Sequence, residues 1–188
     1  MQWCTGCLIV PNFDSSILKS HLERAGNSTN STHVRGKAFE DALEHIFAAV
    51  PGCDVQRNSL NRFTSEEVDI SVMNFRENNG LRALPEIFLV ECKNWSMRVD
   101  SATVNEFAAK IRHRGCTLGI LVAANGVTGS PYEKTAAYQS AALALVERTR
   151  MLLVTTADLT ALASSEDIVS LLHRRLLDLI AAGTFTLG

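Results

Sequence analysis

Glu91 and Lys93 stand two residues apart in the segment Leu89-Val-Glu-Cys-Lys-Asn-Trp95, so an extended backbone turns both side chains to one side. Apolar Leu89 shares that side further back, which puts the charged pair at the end of the most strand-like stretch of the chain, residues 86–95. Charges in such a place are costly unless they are paired or used. A second stretch, residues 67–75, alternates Val68, Ile70 and Val72 on one face with Asp69 and Ser71 on the other. If the two strands pair, Asp69 and Glu91 converge, and converging carboxylates repel unless a proton is shared or a cation bound. Oxygen ligands with an open side suit Mg²⁺, which keeps several waters and takes phosphate oxygens. Lys93 beside such a cation can orient or deprotonate an attacking water and stabilise charge growing on a phosphate. Each piece alone has a plainer reading: a Glu-x-Lys triplet recurs by chance, and a lone strand aspartate is usually solvated. Their shared position at the end of a buried strand favours the chemical one.

The segments around these residues order themselves by periodicity and punctuation. Asp14-Ser-Ser can cap a short helix through about Arg24, with Ile17, Leu18 and Leu22 on one face and Gly26 as a stop. A polar, turn-rich linker follows, and the main domain is expected to begin at Thr32; residues 1–31 read as an appendage and 32–188 as the domain. Phe39, Leu43, Ile46, Phe47 and Val50 recur at helical spacing, and Pro51-Gly52 ends that helix. Residues 53–60, 67–75 and 86–95 read as three strands, Ser101–Arg114 as a helix, and 117–124 as a buried strand. Ser130-Pro-Tyr-Glu carries the marks of a helix start, an N-cap serine followed by proline and a glutamate three residues on, with the helix running to about Arg148. A strand at 151–156 and helices near 157–163 and 166–182 complete the chain. Three successive strands suggest an antiparallel meander and the later alternation parallel additions, so a mixed sheet flanked by helices is expected.

Composition sets limits on function. The 188 residues are 46% hydrophobic and 20% charged, enough for one substantial core. Eighteen basic against 20 acidic side chains exclude a uniformly basic chain that coats nucleic acid, so any phosphate-binding surface is a local patch. No apolar run reaches the roughly 18–20 residues of a membrane helix, and the first residues lack the features of a secretory signal; a cytoplasmic protein with reduced cysteines and no membrane partner is expected.

The ordered set Arg35-Gly-x-x-x-Glu40, Val68-Asp69-Ile70 and Glu91-Cys92-Lys93 resembles the restriction-endonuclease-like PD-(D/E)xK nucleases, above all the Mrr-type restriction endonucleases. The stretch Gly36-Lys-Ala-Phe-Glu40 is similar to the opening helix of the Mrr group, and the likeness runs from about Val34 to Val127. It departs from the superfamily pattern in having valine, not proline, before Asp69. The resemblance implies an αβββαβ core with extra C-terminal helices, and a metal-dependent endonuclease acting on DNA, with defence against foreign DNA as the setting it suggests. It implies Asp69, Glu91 and the backbone carbonyl of Cys92 as ligands of Mg²⁺, with Mn²⁺ as substitute. Glu40 would complete the shell directly or through water, and Lys93 would act on the attacking water. The alternatives carried with it are a nuclease-like module that binds nucleic acid or protein without cutting, and a nuclease for RNA or branched DNA.

Arg98, Lys110 and Arg114 lie in or beside the helix after the proposed active strand, and Lys110 and Arg114, four apart, can offer two cations to a phosphate backbone. Arg35 and Asn94 are further candidates for nucleic-acid contact. Cys92, between two site residues, is expected to point to the core as packing. Cys4-Thr-Gly-Cys7 has metal-site spacing, but no second such pair exists and His21 and His33 are poorly spaced, so no structural zinc is expected. Asn125-Gly-Val-Thr-Gly129 could bind phosphate but lacks the lysine and glycine pattern of a nucleotide loop. The last helix, with Leu171, Leu172, Leu176, Leu177 and Ile180, is apolar enough for core or for a homodimer contact. With little room for a specificity domain, a protein partner could supply target choice.

Overall fold

The structure, a computed structural model, describes residues 13–60, 67–133 and 135–186. These form six helices and five strands: α1 Ser15–Gly26, α2 Thr32–Ala48, β1 Cys53–Leu60, β2 Glu67–Asn74, β3 Ile87–Lys93, α3 Ser101–His113, β4 Leu118–Ala123, α4 Ala137–Val146, β5 Arg150–Val154, α5 Thr156–Thr160 and α6 Ser165–Ala182. The strands make one sheet in chain order, β1-β2-β3-β4-β5. β1, β2 and β3 run antiparallel, whereas β4 and β5 are added parallel to β3. The meander and the parallel additions expected from the segment order are both present. Among the described residues no helix is long and apolar enough to cross a membrane.

Alternation sorts the sheet's side chains into two cores. One lies under α1, α2, α5 and α6 and holds Phe39, Ile46, Ile70, Phe88, Val90, Ile120, Leu152 and Leu172. The other lies under α3 and α4 and holds Leu89, Phe107, Ile111, Leu121, Tyr138 and Leu153. Leu18 and Ala25 of α1 belong to the first core, whereas Ile17 is 44% exposed. In α2, Ser31 caps the N-terminus by accepting from Val34 N–H, and Ala38, Phe39, Ala42, Leu43, Ile46 and Phe47 form the buried stripe. The turn after it needs Gly52, whose φ is +74°, the left-handed region that glycine enters without steric cost.

Gly119 decides how close α3 comes to the sheet. A Cβ there would stand 2.4 Å from Ile111 Cδ1 and 2.7 Å from Phe107 Cζ, so the helix rests against bare β4 backbone. α3 is capped by Asp100, which accepts from Thr103 N–H, and the close approach brings its C-terminal half over β3.

Two sequence expectations are corrected. The helix expected from Ser130 begins at Ala137. Ser130 does accept from Glu133 N–H, but that closes only a turn, because Thr135 hydrogen-bonds back to Ser130 and the chain redirects at Ala136, with φ +49° and ψ −122°. Val68 does not share a core with Ile70 and Val72: it packs with Leu89 and Phe107 on the α3 side. The physical reason lies at Asp69, next to it.

Candidate active site

Asp69 occupies a rung that neither neighbouring strand completes. The β1–β2 pairing passes from Arg57↔Ile70 to Ser59↔Val68, and the β2–β3 pairing ends at Ile70↔Val90. On β1, the residue opposite is Asn58, with φ +49°. On β3, Cys92 donates its backbone N–H to Asp69 Oδ2 at 2.7 Å, so a side chain takes the place of a ladder carbonyl. This break lets the strand turn and carries Val68 to the other core. It also holds the Asp69 carboxylate in place, with the Cys92 thiol 3.2 Å from the same oxygen.

Glu91 is buried, its side chain 3% exposed. Lys93 Nζ donates to Glu91 Oε1 at 2.7 Å, and Lys110 Nζ, from α3, donates to the same oxygen at 2.9 Å. The other oxygen, Oε2, is buried with no hydrogen-bond partner. Burial first, and then the charge of Glu91, hold the Asp69 carboxyl above the ordinary carboxylate range, outweighing the Cys92 hydrogen bonds. Burial works against the charge of Lys93, but the Glu91 carboxylate outweighs it and raises the ammonium's hold on its proton. Burial, with Asp69 close by, pushes the Cys92 thiol well up, so it is an inert packing group with its sulfur against the first core.

Glu40 and Asp69 open onto one cleft of about 440 Å³, whose walls include Lys37, Arg57, Asn58 and Glu67. Across it Arg57 of β1 grips three carboxylates of α2: Glu40 Oε2 at 2.8 Å, Asp41 Oδ1 at 2.6 Å and Glu44 Oε2 at 2.9 Å. Burial opposes the guanidinium's charge, and these three hydrogen bonds more than restore it.

The remaining sequence candidates fall in three places. Arg35 Nε donates to Ala25 O at 3.0 Å, and Asn94 Nδ2 donates to Ala25 O at 3.0 Å and to Arg35 O at 3.2 Å, so both tie the end of α1 to α2 and to the loop after β3. Arg98 is exposed on that loop. Lys110 of α3 and Arg114, which caps that helix, both turn toward the protein rather than outward. Lys110 meets Glu91, and Arg114 donates to Ser59 O at 3.0 Å. The loop at Asn125 braces the same region: its Nδ2 donates to Trp95 O at 2.6 Å, and Val99 exchanges hydrogen bonds with Gly126 and Thr128. Cys4 and Cys7 lie outside the described residues.

Sequence reasoning missed Arg57 as a site residue and missed that Lys110 enters the site. Arg57 carries no signal, since an arginine in a polar strand end is ordinary. For Lys110 a signal existed: it stands three residues after Phe107 and one before Ile111, on the flank of the stripe that buries α3.

The donor set suits a hard divalent cation in kind. Asp69 and Glu91 offer oxygen only, one buried Glu91 oxygen lacks a partner, and Glu91 already disfavours charge on Asp69. Among the described residues no three His, Cys, Asp or Glu side chains stand close enough to enclose a metal by themselves. Two carboxylates therefore leave the rest of a coordination shell to water and substrate, which is how Mg²⁺ is ordinarily held.

The family model for restriction endonucleases of the Mrr catalytic type matches residues 32–163, more than two-thirds of the chain. Neither the curated proteins nor the solved structures yield a match.

Proposed function

Because the chain belongs to the Mrr-type restriction endonuclease family and has the mixed sheet of a restriction-endonuclease-like nuclease, we propose that it hydrolyses DNA phosphodiester bonds with a divalent cation, Mg²⁺ or Mn²⁺. The convergence of Asp69 and Glu91 at the unfinished rung, with Lys93 on Glu91, carries this reading. The open cleft beside Asp69 gives a phosphate backbone access to it. The reading extends to a role in defence against foreign DNA.

Asp69, Glu91 and the Cys92 carbonyl would hold the cation, with Glu40 reaching it directly or through water after leaving Arg57. When bound, such a cation polarises a phosphate oxygen and eases deprotonation of a water. The chain's own groups do the rest. Cys92 N–H fixes Asp69 Oδ2 against β3, and the Asp69 side chain forms part of the cleft wall. Lys93, whose Nζ donates to Glu91 Oε1, stands where it would orient the attacking water and stabilise the developing phosphorane charge. Trp95, whose ring lies 5.6 Å from Lys93 Nζ, limits where that ammonium can swing.

Incubation of supercoiled plasmid with the purified chain in Mg²⁺, Mn²⁺ or EDTA tests the reading. Nicking or linearisation that needs metal and falls at least about 100-fold in Lys93→Ala and Asp69→Asn is expected, a loss typical of one charge-stabilising group. Equal cleavage by the variants overturns the site assignment. Tight DNA binding with no cutting by the wild type, on linear, branched and RNA substrates alike, replaces the enzyme with a binding module.

A further inference from the structure

Lys110 holds a place that the hydrolytic reading does not use. Two ammonium groups converge on one oxygen of one buried carboxylate, while the second oxygen of that carboxylate has no partner. The two lysines differ in how they are held. Lys93 is on the same strand as Glu91 and also meets the Trp95 ring. Lys110 comes from α3, across from β3, and its side chain pairs with Glu91. In the protein without metal, Lys93 and Lys110 both pair with Glu91 Oε1. A divalent cation held by Glu91 brings two further positive charges next to those two ammonium groups. Cations crowded at one buried carboxylate repel one another, and the less tethered ammonium is the one displaced.

We propose that Lys110 is the internal counter-ion of Glu91, a positioning residue that holds this carboxylate in the metal-free protein and is displaced from it by the divalent cation. The proposal rests on the reading of Asp69 and Glu91 as metal ligands. It makes cation binding an exchange rather than a simple addition: each binding event breaks the Lys110–Glu91 pair. Lys110 thereby weakens metal affinity while it keeps a buried carboxylate from standing half-compensated.

Calorimetric titration of Mn²⁺ into the DNA-free full chain tests it without any activity measurement. Lys110→Met removes the competitor and is expected to bind Mn²⁺ about fivefold more tightly than wild type, the low end of ordinary coupling between two ligands. Lys110→Arg, which restores the cation, returns the affinity to the wild-type value. Equal or weaker binding by Lys110→Met overturns the proposal. Asp69→Asn separates the two readings: if it binds Mn²⁺ as wild type does, the metal site itself is misplaced, whereas loss of binding in Asp69→Asn with no change in Lys110→Met removes only the exchange. A measurement on the wild type covers a Lys110→Met chain that does not fold. Acetylation of Lys110 by an amine-reactive reagent, followed by mass spectrometry, is expected to rise on addition of Mg²⁺, and reactivity that stays constant overturns the exchange.

Discussion

Asp69 combines two features that a structural residue would avoid: burial and a neighbouring like charge. Its folded form binds a proton more tightly than the unfolded chain does. As pH rises past the ordinary carboxylate value of 3.8, the unfolded chain therefore releases its proton first, and stability is lost as pH climbs through the folded value. Asp69→Asn removes that penalty while keeping an acceptor for Cys92 N–H. In EDTA its melting temperature is expected to exceed that of wild type by a few degrees at pH 7, with the gap closing as the pH is lowered toward 4; scanning calorimetry at the two pH values checks this. If Asp69 serves as proposed, the same variant gains stability and fails to cut plasmid, the trade expected of an active site held under electrostatic strain. Arg57 has the opposite role. It is the hub for Glu40, Asp41 and Glu44, and Arg57→Met leaves three carboxylates crowded on one helix face. A loss of about 2 kcal/mol in urea unfolding is expected, the scale of hydrogen bonds to charged groups. Asp69, Glu91 and Lys93 were legible because charged residues inside an apolar strand pattern stand out. The grip of Arg57 and the pairing of Lys110 with Glu91 were not, since the partners are 13 to 19 residues away in sequence, on other elements.

At the scale of elements, the site depends on how tightly α3 sits on the sheet. Gly119→Ala would drive a methyl group into Ile111 and Phe107. Overpacking of this kind costs about 1–3 kcal/mol. Because Lys110 lies between those two residues in sequence, the same substitution is expected to loosen its pairing with Glu91, read as faster acetylation of Lys110 in EDTA. α6 carries a reciprocal cap, with Ser164 accepting from Asp167 N–H and Asp167 accepting from Ser164 N–H. Ser164→Ala is expected to cost about 1 kcal/mol, with cleavage unchanged, since α6 packs on β5, at the opposite end of the strand order from Asp69 on β2. The same chemistry at Ser130 closes only a turn, because the residues after it do not continue the helical backbone. A cap motif therefore marks where a helix can start, and the next residues decide whether it does.

The whole molecule joins an antiparallel half to a parallel half at β3, and the site lies where they meet. Crevices at the carboxyl ends of strands beside such a change of direction are where open α/β sheets bind ligands. The parallel half is closed by Arg175 of α6, which is 5% exposed and bonds Asp158 Oδ1 of α5 and Thr186 O near the C-terminus, each at 2.8 Å. Arg175→Met breaks both links and leaves Asp158 without its ion partner. A loss of about 3 kcal/mol, measured by chemical unfolding, is expected for removing one side of a buried pair. Leu177 and Ile180 of α6, expected as core or contact residues, are 68% and 54% exposed, while Leu172 of the same helix is buried.

The order of elements, the mixed sheet and the three residues Asp69, Glu91 and Lys93 follow from local pattern alone. Period-two alternation and buried apolar runs specify strands, and a charge at the end of such a run announces itself in one dimension. The direction in which the inner face of α3 looks, the three-carboxylate grip of Arg57 and the second ammonium on Glu91 were decided by tertiary structure. Each depends on how closely two elements approach and at what rotation. That is set by features such as the missing side chain at Gly119 and the unfinished rung at Asp69, whose effect exists only once the strands and helices are packed together.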